Sequence, residues 1–246
     1  MIARIKRLYR RMTSTPYLKQ KDKVSYWFDQ ALKGSSTQLV QIGSNDGKTG
    51  DPLFPLLQKY QSWKALFVEP VPYLYKRLSE NYTASRFTLE NVAIGEAGNM
   101  NFYWVDPKAK DHLPDLPYWY DQLGSFDRNH IVKHLDGVLE PYILSAEISC
   151  ITLDTLLDRN TISDIGILHI DTEGYDWAIL SQLDLSKWKP RFILYEYHHL
   201  SDEDLKSSLD FLKSDYHVYQ VGIDNLAVRK DVQLKDISKH LTLLGS

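Results

Sequence analysis

The densest chemistry-bearing stretch of the chain is Val40-Gln41-Ile42-Gly43-Ser44-Asn45-Asp46-Gly47. A glycine at the end of an apolar run lets a ligand approach the backbone, and a turn of Gly, Asn and Asp tolerates unusual φ/ψ. Glu69 closes the next apolar run, Ala65 to Val68, 22 residues beyond Gly47. An acid there is placed to accept hydrogen bonds from both ribose hydroxyls of an adenosine cofactor. At consecutive strand ends, the two features together favour nucleoside binding. The turn reads G-x-x-x-G, short of the full dinucleotide fingerprint, and no G-x-x-x-x-G-K-[ST] phosphate loop is present. Asp46 and Asp51, in or beside the turn, would repel a pyrophosphate. A cationic cofactor such as S-adenosylmethionine, with its ammonium and sulfonium groups, suits them better.

A second group of reactive side chains follows two later apolar runs, Ile165 to Ile170 and Phe192 to Tyr195. Asp171, Glu173, Glu196, His198 and His199 stand at their ends, where open α/β sheets carry their sites. If the acceptor is a hydroxyl, a base must take its proton. His198 or His199 is the better base by its ordinary pKa, about 6.5. Asp171 and Glu173 would orient the acceptor or cap the helix that follows. A divalent metal bound by the same groups is the alternative to a protein base. It is the less favoured of the two, and no metal ligand is assigned. His130 and His134 have i, i+4 spacing, but Ile131 stands where a zinc-protease helix needs glutamate.

The elements that must position these groups can be read from periodicity. Val24, Trp27, Phe28, Ala31 and Leu32 follow a helical period. Gln38 to Ile42 reads as a strand, and Asp51 before Pro52 as a helix start. Ala65 to Val68 is a strand, Pro70 and Pro72 open a helix, and a third strand is expected around Phe87 to Ile94. Ile165 to Ile170 and Phe192 to Tyr195 are strands, with a helix from Trp177 to Leu183 between them. Ser201 and Asp204 form a capping-box-like start to another helix. Strands alternating with helices at this spacing argue for a parallel sheet covered on both faces. The chain then departs from this rhythm. Tyr216 to Val221 and Leu226 to Lys230, linked by Gly222 to Asn225, can only pair antiparallel.

Residues 99–149 do not fit the repeat. Pro107, Pro114, Pro117 and Pro141 punctuate them, and Tyr118, Trp119 and Tyr120 form an aromatic cluster. Such a long connection is usually functional or disordered, and its aromatic and histidine content argues for the former. It is read as a lid or substrate platform. At the N-terminus, Arg4, Lys6, Arg7, Arg10 and Arg11 alternate with apolar residues. This is either a helix resting on an anionic membrane surface, or a solvated helix or arm. Residues 1–34 are treated as an N-terminal helical arm and 35–246 as a single domain with the insertion.

Composition narrows the function classes. The chain has 246 residues, 29 Lys and Arg against 32 Asp and Glu, and a net charge of −3, a poor balance for a nucleic-acid binder. The single cysteine, Cys150, excludes an intramolecular disulfide framework. No apolar run approaches the roughly 20 residues of a membrane span, and no signal-peptide core is evident. A cytoplasmic location is expected.

Seven blocks, VQIGSNDG with DP after it, FVEPVPYLYKRL, ENVAIG, SFDRNHIVKH, ITLDTLL, LHIDTEGYDWAIL and LYEYHHLS, resemble the FkbM-type S-adenosylmethionine-dependent methyltransferases, in order over most of the chain. The resemblance implies a class I methyltransferase fold, a mostly parallel, Rossmann-like seven-stranded sheet with an antiparallel C-terminal hairpin and helices on both faces. It implies that Gly43, Ser44, Asn45 and Gly47 wrap the methionine part of the cofactor. Glu69 would hold the ribose, Asn91, Val92 and Ala93 would border the adenine, and Asp171 would lie close to the methyl and amino groups. Ser125, His130 and His134 would line the cofactor or acceptor side of the cleft. Gln41 departs from the acid many class I enzymes carry before the first glycine. The implied reaction is O-methylation of a sugar, glycan or small natural product, on whose ring Tyr118, Trp119 and Tyr120 could stack. The competing reading is a non-catalytic partner-binding protein that keeps the fold as a scaffold.

Overall fold

The computed structural model describes residue 21 and residues 23–244; the basic N-terminal segment 1–14 lies outside them. In chain order the elements begin with α1 (Val24–Leu32), β1 (Gln38–Ile42), α2 (Phe54–Lys59), β2 (Lys64–Val68), α3 (Pro72–Asn81), β3 (Phe87–Glu90) and β4 (Ala93–Ile94). There follow β5 (Gly98–Val105), α4 (Ala109–His112), β6 (Gly124–Ser125), α5 (Arg128–Lys133) and β7 (Ile143–Ile151). The last third holds α6 (Leu153–Arg159), β8 (Ile167–Ile170), α7 (Asp176–Leu180), β9 (Phe192–Glu196), α8 (Asp202–Leu212), β10 (Tyr216–Val221), β11 (Asp224–Arg229) and β12 (Thr242–Leu244). These elements form two compact units, Gly98–Ser149 and the described chain on either side of it.

The larger unit is built on one sheet in the order β12-β10-β11-β9-β8-β1-β2-β3. β3, β2, β1, β8 and β9 are parallel, and β11 enters antiparallel to β9. This is the class I methyltransferase arrangement. The expected seven strands are extended by an eighth, β12, which pairs antiparallel with β10 at the edge. The expected third strand also divides. Phe87–Glu90 joins the main sheet, whereas Ala93–Ile94 pairs with Cys150 and Ile151 at the end of β7. The hairpin turn is shorter than anticipated, Gly222 and Ile223 only, so Asp224 and Asn225 belong to the returning strand.

Strand periodicity sends alternate residues to opposite faces. Leu39, Phe67, Ile167 and Leu194 pack on one side with Trp27 and Phe28 of α1 and Leu56 and Leu57 of α2. Val40, Leu66, Leu168 and Ile193 pack on the other with Leu153, Ile179 and Leu212 of α6, α7 and α8. α1 is therefore a core helix, not part of an arm: Phe28 and Leu32 are essentially inaccessible. Two helices begin as their sequences suggest, with Thr152 accepting from Thr155 N and Ser201 from Asp204 N. No helix among the described residues is long and apolar enough to cross a membrane.

The insertion folds as its own small unit. β5 pairs antiparallel with β6, and Val105, Leu116, Tyr120, Leu123, Ile131 and Leu139 form its core. Asp127 caps α5 by accepting from Asn129 N. The chain after α5 bends through Leu135, Asp136 and Gly137, all at positive φ.

Candidate active site

The turn after β1 is held from three directions. Gly43 N and Ser44 N both donate to Val68 O, and Ser44 Oγ donates to Gln41 O while accepting from Val68 N. Ser44 is buried and its hydroxyl is spent on joining the two strand ends, so only its backbone is available to a ligand. From α3, Asn81 Nδ2 donates to Asp46 O and Tyr82 Oη to Gly47 O. Gly43 (φ +77°) has no room for a side chain: a Cβ would lie 1.8 Å from Asp171 O. At Gly47 (φ +67°) it would meet Tyr82 and Leu78 at 2.4 and 2.6 Å. The glycines thus allow the β1 turn to sit against the end of β8 and against α3. Asn45 takes φ +49°, as its short polar side chain permits.

Glu69 is deeply buried at the end of β2. Its Oε2 accepts from Asn45 N and its Oε1 from Val71 N, both at 2.8 Å. Burial pushes its pKa up to about 7 against these two hydrogen bonds. The residue therefore couples the turn to β2, and each oxygen keeps a second lone pair for a hydroxyl. Asn91 reaches back through Nδ2 to Glu69 O and Pro70 O, while Val92 and Ala93 are buried beside it. Asp46 accepts from Lys48 N, Thr49 N and Thr49 Oγ1. Burial opposes its ionisation, and these bonds hold it below the usual range nonetheless.

Gln41, where the family resemblance leads one to expect an acid, is bonded to an acid ten residues on. Gln41 Nε2 donates to Asp51 Oδ2 at 2.8 Å, and Asp51 Oδ1 accepts from Leu53 N and Phe54 N at the start of α2. Asp51 is therefore not the N-cap expected of it: the helix starts at Phe54 with Leu53 in the cap position and no side-chain cap, and Asp51 braces the approach to it from outside. Burial raises its pKa, and Asp46 adds to the effect. Asp171, at the end of β8, has a strongly raised pKa from burial, then from Glu173, Asp176, Asp224 and Asp51.

Around the ends of β8 and β9 the acids converge. Asp176, fully buried, accepts from Thr172 N and Oγ1 and from Glu196 N, tying the two strand ends together. Burial pushes it to about 7. The β9–β11 register sets Asp224 opposite Glu196. Glu196 is 6% exposed and its Oε2 has no hydrogen-bond partner among the described residues. Burial, then Glu173, Asp171, Asp176 and Asp224, push it to about 10. Glu173 lies at φ +53°, and Gly174 beside it at φ +97°. His199 Nε2 stands 3.4 Å from Glu173 Oε2 and 3.7 Å from Glu196 Oε1. His198 is exposed, its ring 5.0 Å from that of His199. Of the two histidines, His199 is the one in the acid cluster.

The larger unit thus gathers Gly43, Asn45, Glu69, Asp171, Glu173, Glu196 and His199 at the carboxyl ends of its parallel strands. Asp51, read from sequence as beside the cofactor turn, joins them, as do Asp176 and Asp224, which sequence had not placed in the site. Asp51 was marked by its D-P step, and Asp176 by its place in IDTEGYD; Asp224 carried no local signal. In the smaller unit His134 Nδ1 lies 2.9 Å from His130 O, and Ser125 accepts from Asp127 N. The aromatic trio is not one platform. Tyr118 is 55% exposed, whereas Tyr120 is buried in the unit's core with its hydroxyl donating to Pro107 O. As a substrate-stacking surface Tyr120 is excluded by that burial.

The negative field and tight turn fit a nucleoside cofactor bearing positive charge. No curated protein matches the chain. Solved structures that resemble it include that of the fibrillarin/Nop5p complex (10% identity, 91% of this chain and 80% of that one, TM-score 0.41). Others are precorrin-6Y C5,15-methyltransferase from Geobacter metallireducens (11%, 88% and 90%, 0.38) and a TehB-like S-adenosylmethionine-dependent methyltransferase from Corynebacterium glutamicum (8%, 91% and 92%, 0.38). These likenesses are remote, and the assignment rests on a family model instead. Residues 41–221, from the glycine turn to the end of β10, match the methyltransferase FkbM domain. The chain belongs to the FkbM methyltransferase family, whose members depend on S-adenosylmethionine.

Proposed function

We propose that this enzyme methylates a hydroxyl group on a sugar, a glycan or a small natural product. The observation that carries the reading is His199 set between Glu173 and Glu196 at the ends of β8 and β9. A hydroxyl, unlike a neutral amine, must lose its proton as its oxygen attacks carbon, so it needs such a group nearby.

Bound at the β1 turn, S-adenosylmethionine supplies an electrophilic methyl on its sulfonium. Glu69 would accept the ribose hydroxyls through the lone pairs its backbone bonds leave, and Asn91 with Val92 and Ala93 would border the base. Gly43 and Gly47 bring backbone close, and Asp51 and Asp171 provide negative charge for the ammonium. As the acceptor oxygen forms its bond to the methyl carbon, the carbon–sulfur bond breaks. The hydroxyl proton would pass to His199, beside whose Nε2 the Glu173 carboxyl stands at 3.4 Å. The products are a methyl ether and S-adenosylhomocysteine. Much of the acceleration in such a step is positioning.

A small-molecule or glycan acceptor, no nucleic acid, and a cytoplasmic location belong to the same reading. The net charge of −3 supports the second point. The test is transfer of labelled methyl to a panel of sugars, glycans and hydroxylated natural products, run with and without added MnCl2. Label in an ether-linked methyl supports the proposal. Transfer to amines or thiols alone would refute the hydroxyl assignment, and a folded protein that binds no S-adenosylhomocysteine would favour the scaffold reading.

A further inference from the structure

Glu173, Glu196 and His199 bring two carboxyl groups and an imidazole, all metal-ligating groups, together at the ends of β8 and β9. The distances from His199 Nε2 to the two carboxylates, 3.4 and 3.7 Å, exceed the 2.7–3.2 Å of an ordinary N–H···O bond. They approach the separation of ligands around a common ion. Ligand atoms about 2.0–2.2 Å from a metal and about 90–110° apart lie roughly 2.8–3.6 Å from each other. Independently, Glu196 Oε2 is buried without a hydrogen-bond partner among the described residues, in a residue only 6% exposed. A buried carboxylate oxygen without a donor is costly and calls for a cation or a proton. Moreover, Glu196 stands within electrostatic reach of Asp171, Asp176 and Asp224 as well as Glu173. Finally, Glu173 is held in the left-handed region at φ +53°, a strained conformation of the kind that collects at ligand clamps.

We propose that Glu173, Glu196 and His199 bind a divalent cation at the carboxyl ends of β8 and β9. One imidazole with two carboxylates suits an ion that accepts both nitrogen and oxygen, of the Mn2+ or Zn2+ type. The catalytic consequence rests on the methyl-transfer reading, but the binding does not. With the cation bound, His199 would be a ligand and not the base; the ion would lower the pKa of the acceptor hydroxyl, and its proton would leave to solvent water.

The experiment is titration of the full-length, metal-stripped protein with MnCl2, followed by calorimetry and by the loss of the free-ion electron paramagnetic resonance signal, and repeated with ZnCl2. One equivalent of either ion should bind, and Glu196→Gln and His199→Ala should each weaken it at least tenfold while circular dichroism stays unchanged. Glu196→Gln should also raise the melting temperature of the stripped protein, because it removes an uncompensated buried acid; that readout shows the variant is folded. Saturating S-adenosylhomocysteine, which carries the cofactor's ammonium, should leave Mn2+ affinity within about twofold.

Absence of binding by wild type, or equal binding by the folded variants, would overturn the proposal. Displacement of Mn2+ by S-adenosylhomocysteine would also overturn it and assign the acids to the cofactor's ammonium. Methyl transfer that continues in excess chelator, from protein that binds no metal, would refute the cation site and leave the hydroxyl-methylation reading standing with His199 as base.

Discussion

Gln41 Nε2 donates to Asp51 Oδ2 across 2.8 Å, so a neutral residue on β1 presents an acid that belongs to the start of α2. The carboxylate is buried and also accepts from Leu53 N and Phe54 N. One side chain therefore joins the end of β1 to the approach to α2. Asp51→Asn keeps the shape but removes the charge. S-adenosylmethionine affinity should fall about tenfold, in line with the 1.5–3 kcal/mol of hydrogen bonds to charged groups. Calorimetry with wild type alongside measures this, and an unchanged Kd would remove Asp51 from the cofactor's field.

Glu69 makes stability depend on pH. Its carboxyl is raised from 4.5 to about 7 in the folded chain, so the native state holds a proton that the unfolded chain releases earlier. The contribution is complete below about pH 4.5 and is lost as pH rises through 7. The loss is on the order of 3 kcal/mol at most. Urea unfolding of wild type and Glu69→Gln from pH 5 to 8 should show the wild type losing more stability over that interval. Parallel curves for the two proteins would show that Glu69 does not titrate there.

Asp176 is a positioning residue. It accepts three hydrogen bonds, two from Thr172 and one from Glu196 N, at a fully buried site. Asp176→Ala leaves Glu196 N and Thr172 N without their acceptor, which should cost about 2–4 kcal/mol. Chemical denaturation measures the loss. In the fraction that folds, kcat should fall more than S-adenosylmethionine affinity, because Glu196 lies on the acid cluster rather than on the β1 turn.

Gly43→Ala and Gly47→Ala separate two kinds of close contact. At Gly43 the added carbon meets backbone, Asp171 O at 1.8 Å, and cannot be accommodated without moving β1 against β8. At Gly47 it meets the rings and methyls of Tyr82 and Leu78, which can shift. Both positions carry positive φ, so each variant loses at least about 1 kcal/mol. Gly43→Ala should be the worse, losing cofactor binding altogether, whereas Gly47→Ala should retain weakened binding. The reverse order in a thermal melt and a cofactor titration would mean that the side chains at Gly47 are the stiffer wall.

Much of this enzyme was legible without coordinates. Apolar runs of period two, helical runs between them and a Gly-Asn-Asp turn are short-range patterns, decided by which face each residue must bury. They located the β1 turn, Glu69, Asp171, the pairing of the last two long strands and the insertion at 99–149. Helix starts and strand ends moved by a few residues, because a side chain such as Asp51 can brace backbone N–H groups two and three positions on without being the cap itself.

Tertiary structure decided the rest. Asp224 faces Glu196 only because β11 inserts antiparallel beside β9 in one register, and register is a property of two distant segments. Burial is likewise collective. Trp27 and Phe28 turn a supposed arm into core, and Tyr120 packs inside the insertion while its neighbour Tyr118 faces solvent. The type of each residue was available from the chain, but its environment was not. Glu196 illustrates the difference: its Oε2 lacks a hydrogen-bond partner among the described residues only because folding brought five acids into one low-dielectric corner. Sequence by itself determined which chemistry was available, and packing determined which groups share a site, because desolvation and charge–charge energies depend on distances the linear order does not contain.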